Sequence, residues 1–140
     1  INVSALKSGH HDFVERDVAG IVEVANRYGA PVKAILETCL LTDEEKVMAC
    51  KIAERAGAAF VKTSTATQPG GATVEDIRLM RATVSPKVTV KASGYVTDIE
   101  KVLALYEAGA RCFGTGYTVN ILEGLRKRLG EASAAASKSG

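Results

Sequence analysis

Tryptophan is absent from this 140-residue chain, and aromatic residues make up only 5% of it. Ala, Val, Leu and Ile must therefore supply most of the core. An excess of charge of one sign is also missing. Eighteen Lys and Arg stand against 16 Asp and Glu, a formal net charge of +2. That balance argues against nucleic acid and anionic membranes as partners. Any bound anion would be small and held in a local pocket. No apolar run approaches the roughly 20 residues that cross a bilayer, and no signal-peptide pattern is read. The three cysteines, Cys39, Cys50 and Cys112, show no CxxC or His-associated spacing. A zinc site is not expected from them. They read as reduced, small core residues of a cytosolic protein. A starting methionine is missing too, so Ile1 is expected to follow an upstream stretch of a longer protein.

With 46% apolar and 24% charged residues, the chain reads as one soluble globular domain. Helix and strand patterns alternate along it. Residues 1–5 read as the tail of a strand. Residues 12–28 read as a helix, with Phe13, Val14, Val18, Ile21, Val22 and Ala25 at helical spacing and Asp12 as N-cap. Strands are expected at 32–37, 58–63, 88–92 and 111–115. Helices are expected at 43–56, 74–83, 98–108 and 118–129. Thr42 with Glu45 matches a capping box, and Thr73 with Asp76 and Thr97 with Glu100 mark two further helix starts. Residues 1–130 form the domain, and the Ala/Ser/Gly-rich stretch 131–140 reads as a flexible tail.

Tyr28-Gly29-Ala30, Ala56-Gly57-Ala58 and Ala108-Gly109-Ala110 each close a helix and lead into a strand. The first two glycines lie 28 residues apart, and the second and third lie 52 apart, or two units of 26. The intervening unit ends at Ser85-Pro86. Such a repeat implies parallel strands joined by helical crossovers. An open doubly wound sheet and a (β/α)₈ barrel both offer this pattern. A whole barrel needs about 250 residues, so this chain is about half of one. Either architecture places chemistry at the C-terminal ends of strands.

Polar residues cluster at those ends. Lys62 follows the apolar Ala59-Phe60-Val61, and Lys91 follows Val88-Thr89-Val90. A buried lysine loses its proton more readily. Its neutral amine can attack a carbonyl to form a Schiff base. Two such lysines on adjacent strands would sit about 4.8 Å apart at the backbone and depress each other's pKa. The same two lysines could instead be ordinary solvated charges. Ser93-Gly94-Tyr95 and Gly114-Thr115-Gly116 are glycine-bearing turns after strands, the second opening a helix, where free N–H groups favour phosphate. Gly70-Gly71 would add a third flexible turn. Each of these could also be plain turn chemistry. Glu37 could be a buried acid near the lysines, a neutralising partner for one of them, or simply structural. His10 and His11 read as surface residues.

Phe-Val-Lys-Thr-Ser-Thr at 60–65, Val-Lys-Ala-Ser-Gly at 90–94, Ile-Leu-Glu-Thr at 35–38 and Ala-Leu-Lys-Ser-Gly at 5–9 resemble the deoxyribose-phosphate aldolase family. The resemblance runs in order to about residue 129, and the two lysine motifs stand 29 residues apart. It implies a TIM barrel, of which this chain is the C-terminal half: about four βα units plus a partial strand. It implies a class I aldolase (a lyase) of cytoplasmic nucleotide catabolism, with no cofactor and no metal. That family cleaves 2-deoxy-D-ribose 5-phosphate to D-glyceraldehyde 3-phosphate and acetaldehyde. The Schiff-base lysine falls on Lys62, and its tuning partner in the proton relay falls on Lys91. Substrate and phosphate contacts fall on Thr63, Ser93, Gly94, Tyr95, Gly114, Thr115 and Gly116. The family's relay aspartate falls just before Ile1, and its first three βα units fall outside this chain. The family usually has glycine where Tyr95 and Ala66 stand, and a Ser-Ser pair near Gly116-Tyr117. This chain alone is accordingly expected to show greatly reduced or no turnover. The other reading is a non-catalytic half-barrel. Its open edges would pair it with a second copy, as a homo-oligomer, or with a missing N-terminal half.

Overall fold

A computed structural model describes residues 1–136. Four strands, β1 (Lys33–Ile35), β2 (Phe60–Lys62), β3 (Thr89–Ser93) and β4 (Cys112–Gly114), form one parallel sheet in the order β1-β2-β3-β4. The six helices are α1 (Val3–Lys7), α2 (His11–Asn26), α3 (Asp43–Arg55), α4 (Val74–Thr83), α5 (Ile99–Glu107) and α6 (Thr118–Ala136). Spatial order follows chain order with no reversal. A doubly wound sheet would reverse at a switch point. Each helix also packs against the next along the chain. The fold is α/β, and the arrangement is that of a barrel segment.

The core lies between the sheet and these helices. Ala34, Val61 and Val90 occupy one register row and are buried with Ile52, Ile77, Met80 and Leu105. Side chains alternate across a strand. The next row, Ile35, Lys62, Lys91 and Cys112, therefore faces away from the helices. That face is half-buried where a closed barrel would enclose it.

Several elements differ from the sequence-based expectation. Residues 3–5 are helical rather than strand, because the Asn2 side chain accepts from the Ala5 N–H and starts α1. Only Ile1 reaches the sheet edge, its ammonium donating to the Ile35 carbonyl at 2.9 Å. In α2, Asp12 lies inside the first turn, and His10 takes the cap position without a side-chain bond. Val14, Val18 and Val22 are buried, but Phe13 and Ile21 are exposed on a second apolar stripe. In α5 the cap is Asp98, not Thr97, whose hydroxyl bonds to the Asp98 carboxylate. The capping box of Thr42 and Glu45 and the Thr73 cap form as expected. Gly29, Gly57 and Gly109 all take positive φ, as helix-closing glycines do. Arg81 closes the Ser85-Pro86 turn, donating to the Val84, Ser85 and Val88 carbonyls. α6 runs seven residues beyond its expected end at 129, and residues 137–140 lie outside the described residues. Among the described residues no helix is long and apolar enough to cross a membrane.

Candidate active site

Strand register brings the two lysines together. Lys62 is the direct neighbour of Lys91 across β2 and β3, with Ile35 and Cys112 flanking them in the same row. Both lysines are half-buried. Burial lowers the Lys62 pKa below the ordinary lysine value; the Lys91 charge adds to this, then that of Lys33, while Glu37 pulls the other way. A larger share of Lys62 is thus neutral at pH 7 than for a free lysine. Lys33 was not singled out in the sequence. It lies two rows below on the same face, with its ammonium over the Phe60 ring at 5.4 Å from the centroid. The period-two alternation Lys33, Ile35 carried that signal.

Glu37 follows β1 and is nearly buried. Its carboxylate accepts from the Thr65 N–H at 3.2 Å and from the Thr65 hydroxyl at 2.5 Å. It therefore clasps the loop that leaves β2 immediately after Lys62. Thr63, expected to touch substrate, is fully buried. Its hydroxyl accepts from the Ser93 N–H and donates to the Ser93 carbonyl. It holds the Ser93 turn rather than facing open space.

The two expected phosphate loops do meet. Ser93–Val96 and Gly114–Tyr117, with Thr65 and Ala66, line an open cleft of about 470 Å³. Thr115 ties the loops together: its hydroxyl donates to the Val96 carbonyl and accepts from the Tyr117 N–H. Ser93 lies against Gly114, where a Cβ would sit 2.7 Å from Ser93 Oγ and 3.2 Å from Lys91 Cε. Gly114 thus leaves room for the Lys91 side chain. α6 starts at Thr118, directly after the Gly114–Tyr117 side of the cleft. Gly70-Gly71 does not line the cleft. It packs behind it, with the Ala72 N–H donating to the Gly94 carbonyl.

The cysteines divide three ways. Cys50 is fully buried in α3, and burial pushes its thiol up to about 12. Cys39 is exposed, not in the core, because it sits on a short 3-10 turn (Thr38–Leu40) outside the helix layer. Cys112 is half-buried on the lysine row, again outside the core. His10 is exposed and His11 partly so, at the start of α2.

Two non-glycine residues at the cleft have left-handed backbones: Ala66 at φ 68 and Tyr95 at φ 53. A side chain there costs about 1–2 kcal/mol. Tyr95 is 60% exposed, so core packing offsets little of that cost. Tyr95→Gly is expected to stabilise the chain by about 1 kcal/mol after the larger entropy of an unfolded glycine is counted. Urea denaturation checks this; a midpoint that falls would refute the strain.

No protein-family model matches the chain. Among curated relatives, a deoxyribose-phosphate aldolase of Streptococcus sanguinis is 60% identical over 124 residues, covering 89% of this chain and 56% of that protein. One of Thermococcus gammatolerans is 55% identical over 126 residues, covering 90% and 56%. Among solved structures, QR15, an aldolase, matches with a TM-score of 0.84 at 39% identity, over 91% of this chain and 57% of that one. The tetrameric deoxyribose phosphate aldolase of Aeropyrum pernix matches with a TM-score of 0.75 at 35% identity, over 80% and 48%. The chain spans about half the length of the curated relatives it matches. By sequence and by fold it is a homologue of the deoxyribose-phosphate aldolases, corresponding to the C-terminal half of their barrel.

Proposed function

We propose that Lys62 is a Schiff-base nucleophile that serves cleavage of 2-deoxy-D-ribose 5-phosphate to D-glyceraldehyde 3-phosphate and acetaldehyde. The observation that carries this is the Lys62–Lys91 register pair on the open face, with Lys62 biased toward its neutral form. The neutral amine attacks the sugar's aldehyde carbon, and loss of water leaves a protonated imine. The C2–C3 bonding pair then moves toward the iminium as the C3 hydroxyl surrenders its proton. Glyceraldehyde 3-phosphate departs, and an enamine stays on Lys62. Protonation of that enamine and hydrolysis free acetaldehyde and restore the amine. Lys91, its register neighbour, adds to the burial that biases Lys62 toward the neutral form, and would exchange protons with it in the reaction. The phosphate end of the substrate would enter the cleft between Ser93-Gly94-Tyr95 and Gly114-Thr115-Gly116. The reaction belongs to nucleotide catabolism in the cytoplasm.

Reducing the chain with borohydride in the presence of acetaldehyde should leave an ethyl group on Lys62, found by peptide mass mapping. A label elsewhere, or none, removes the catalytic reading. Turnover by the 140-residue chain alone is expected to be slow or absent, because the lysine face is only half-buried and still admits water. General acid–base help, typically 10²–10⁴-fold, depends on groups held around the reacting atoms.

The open face also supports a second reading, a half-barrel that closes against another chain. The β4 edge has no strand beside it among the described residues, and such edges invite pairing. Closure could join two copies, or this chain and a separate N-terminal half. Light scattering on the purified chain tests self-pairing; a monomer at every concentration would remove it.

A further inference from the structure

We propose that Glu37 is a positioning residue for Lys62, acting through Thr65. This rests on Lys62 being the nucleophile. Three independent features set Glu37 apart. Its backbone is left-handed at φ 56, a conformation that costs an ordinary side chain energy. It is only 9% exposed, yet among the described residues its carboxylate is in no salt bridge. Among the described residues the close hydrogen bonds to its carboxylate all come from one residue, Thr65: both carboxylate oxygens accept from the backbone N–H, and one also accepts from the hydroxyl. A longer contact comes from the Cys39 thiol at 4.0 Å.

A nearly buried carboxylate without a cation is expensive unless its lone pairs are used. Here they are used on the loop three residues beyond Lys62. Leu36 beneath Glu37 is fully buried, and its N–H donates to the Lys62 carbonyl. The Thr38 N–H donates to the Thr63 carbonyl. Leu36, Glu37 and Thr38 thus hold Lys62, Thr63 and Thr65 from one side, and Glu37 is the only one of the three that does so with its side chain. Stretching or releasing that clasp would let the end of β2 move, and Lys62 with it. A displacement of about 1 Å at a reacting centre can cost about 10²-fold in rate.

The charged or titratable groups that act on Lys62 are Lys91 on β3, Lys33 on β1, Glu37 after β1 and Cys112 on β4. Removing the Glu37 charge therefore shifts Lys62 toward the neutral form, whereas removing the clasp slows the reaction of the neutral amine. The two effects separate in a pH profile of acetaldehyde trapping by borohydride on the full chain. Glu37→Gln keeps the acceptor and loses the charge, so the rising limb moves to lower pH while the plateau at high pH holds. Glu37→Asp keeps the charge but cannot reach Thr65, so the plateau falls about tenfold or more. Thr65→Val leaves β1 untouched and lowers the plateau likewise, independently of any folding defect in the Glu37 variants. Wild-type plateaus in both Glu37→Asp and Thr65→Val overturn the inference while leaving the Schiff-base reading intact. Absence of Lys62 trapping in the unmodified chain overturns both.

Discussion

Lys91→Met is expected to slow reductive trapping of acetaldehyde at Lys62 by about 10²-fold at pH 7, the lower end of what a positioned acid–base group supplies. Lys62→Met should abolish it. Lys62 is lowered by burial first and by the Lys91 charge second. The methionine side chain fills much of the same space without the charge, so burial persists and the repulsion does not. The Lys62 ammonium then holds its proton to higher pH, and less of the amine is free to attack. The rising limb of the trapping profile should therefore move to higher pH in Lys91→Met, opposite to its movement in Glu37→Gln. Lys33→Met should move it in the same direction as Lys91→Met but less far, since Lys33 stands two rows away and contributes less. A Lys91→Met profile that overlays the wild type would mean that the pair is two independent solvated lysines.

Gly71→Ala is expected to cost about 2–3 kcal/mol and to lower the melting temperature by roughly 10 °C. An added Cβ would overlap the Gly94 carbonyl oxygen and lie 2.5 Å from its carbon and 2.8 Å from Tyr95 Cδ2. The obstacle is backbone, which cannot rotate aside as a side chain can. Gly94 itself sits against Gly71 in a positive-φ turn, at φ 88. The Ala72-to-Gly94 hydrogen bond would stretch with it. Differential scanning calorimetry checks the loss. Gly116→Ala is the control, since nothing lies within 4 Å of a Cβ there. Equal melting temperatures for Gly71→Ala and wild type would show that the two turns are not in contact. Gly70-Gly71 is thus a packing device for the cleft wall rather than a further anion loop.

The strand and helix succession was readable from local chemistry. Thr42 with Glu45, Thr73 with Asp76 and the three helix-closing glycines act over a few residues, so their meaning survives without tertiary context. The lysine pair was readable for the same reason: a cation at the end of an apolar strand is anomalous wherever the strand lies. Where local signals competed, the reading failed. Thr97 and Asp98 are both able caps, and only the backbone geometry shows that Asp98 accepts from Lys101. Phe13 and Ile21 fit the helical period of α2 as well as Val14 and Val18 do, but one face alone is buried in the core where α2 meets α3.

The sequence by itself determined the alternation of βα units, the lysines at the ends of their strands and the family they resemble. Tertiary structure decided between barrel and doubly wound sheet, because strand order is a relation between segments that no single segment encodes. It also decided which polar residues face the cleft and which hold it. Thr63 and Ser93 sit at similar places in their own motifs, yet Thr63 is spent on the backbone of Ser93, thirty residues away. Glu37 reaches Thr65 across 28 residues. A hydrogen bond is satisfied by whatever lies within about 3 Å, and that neighbour is set by sheet register, not by distance along the chain.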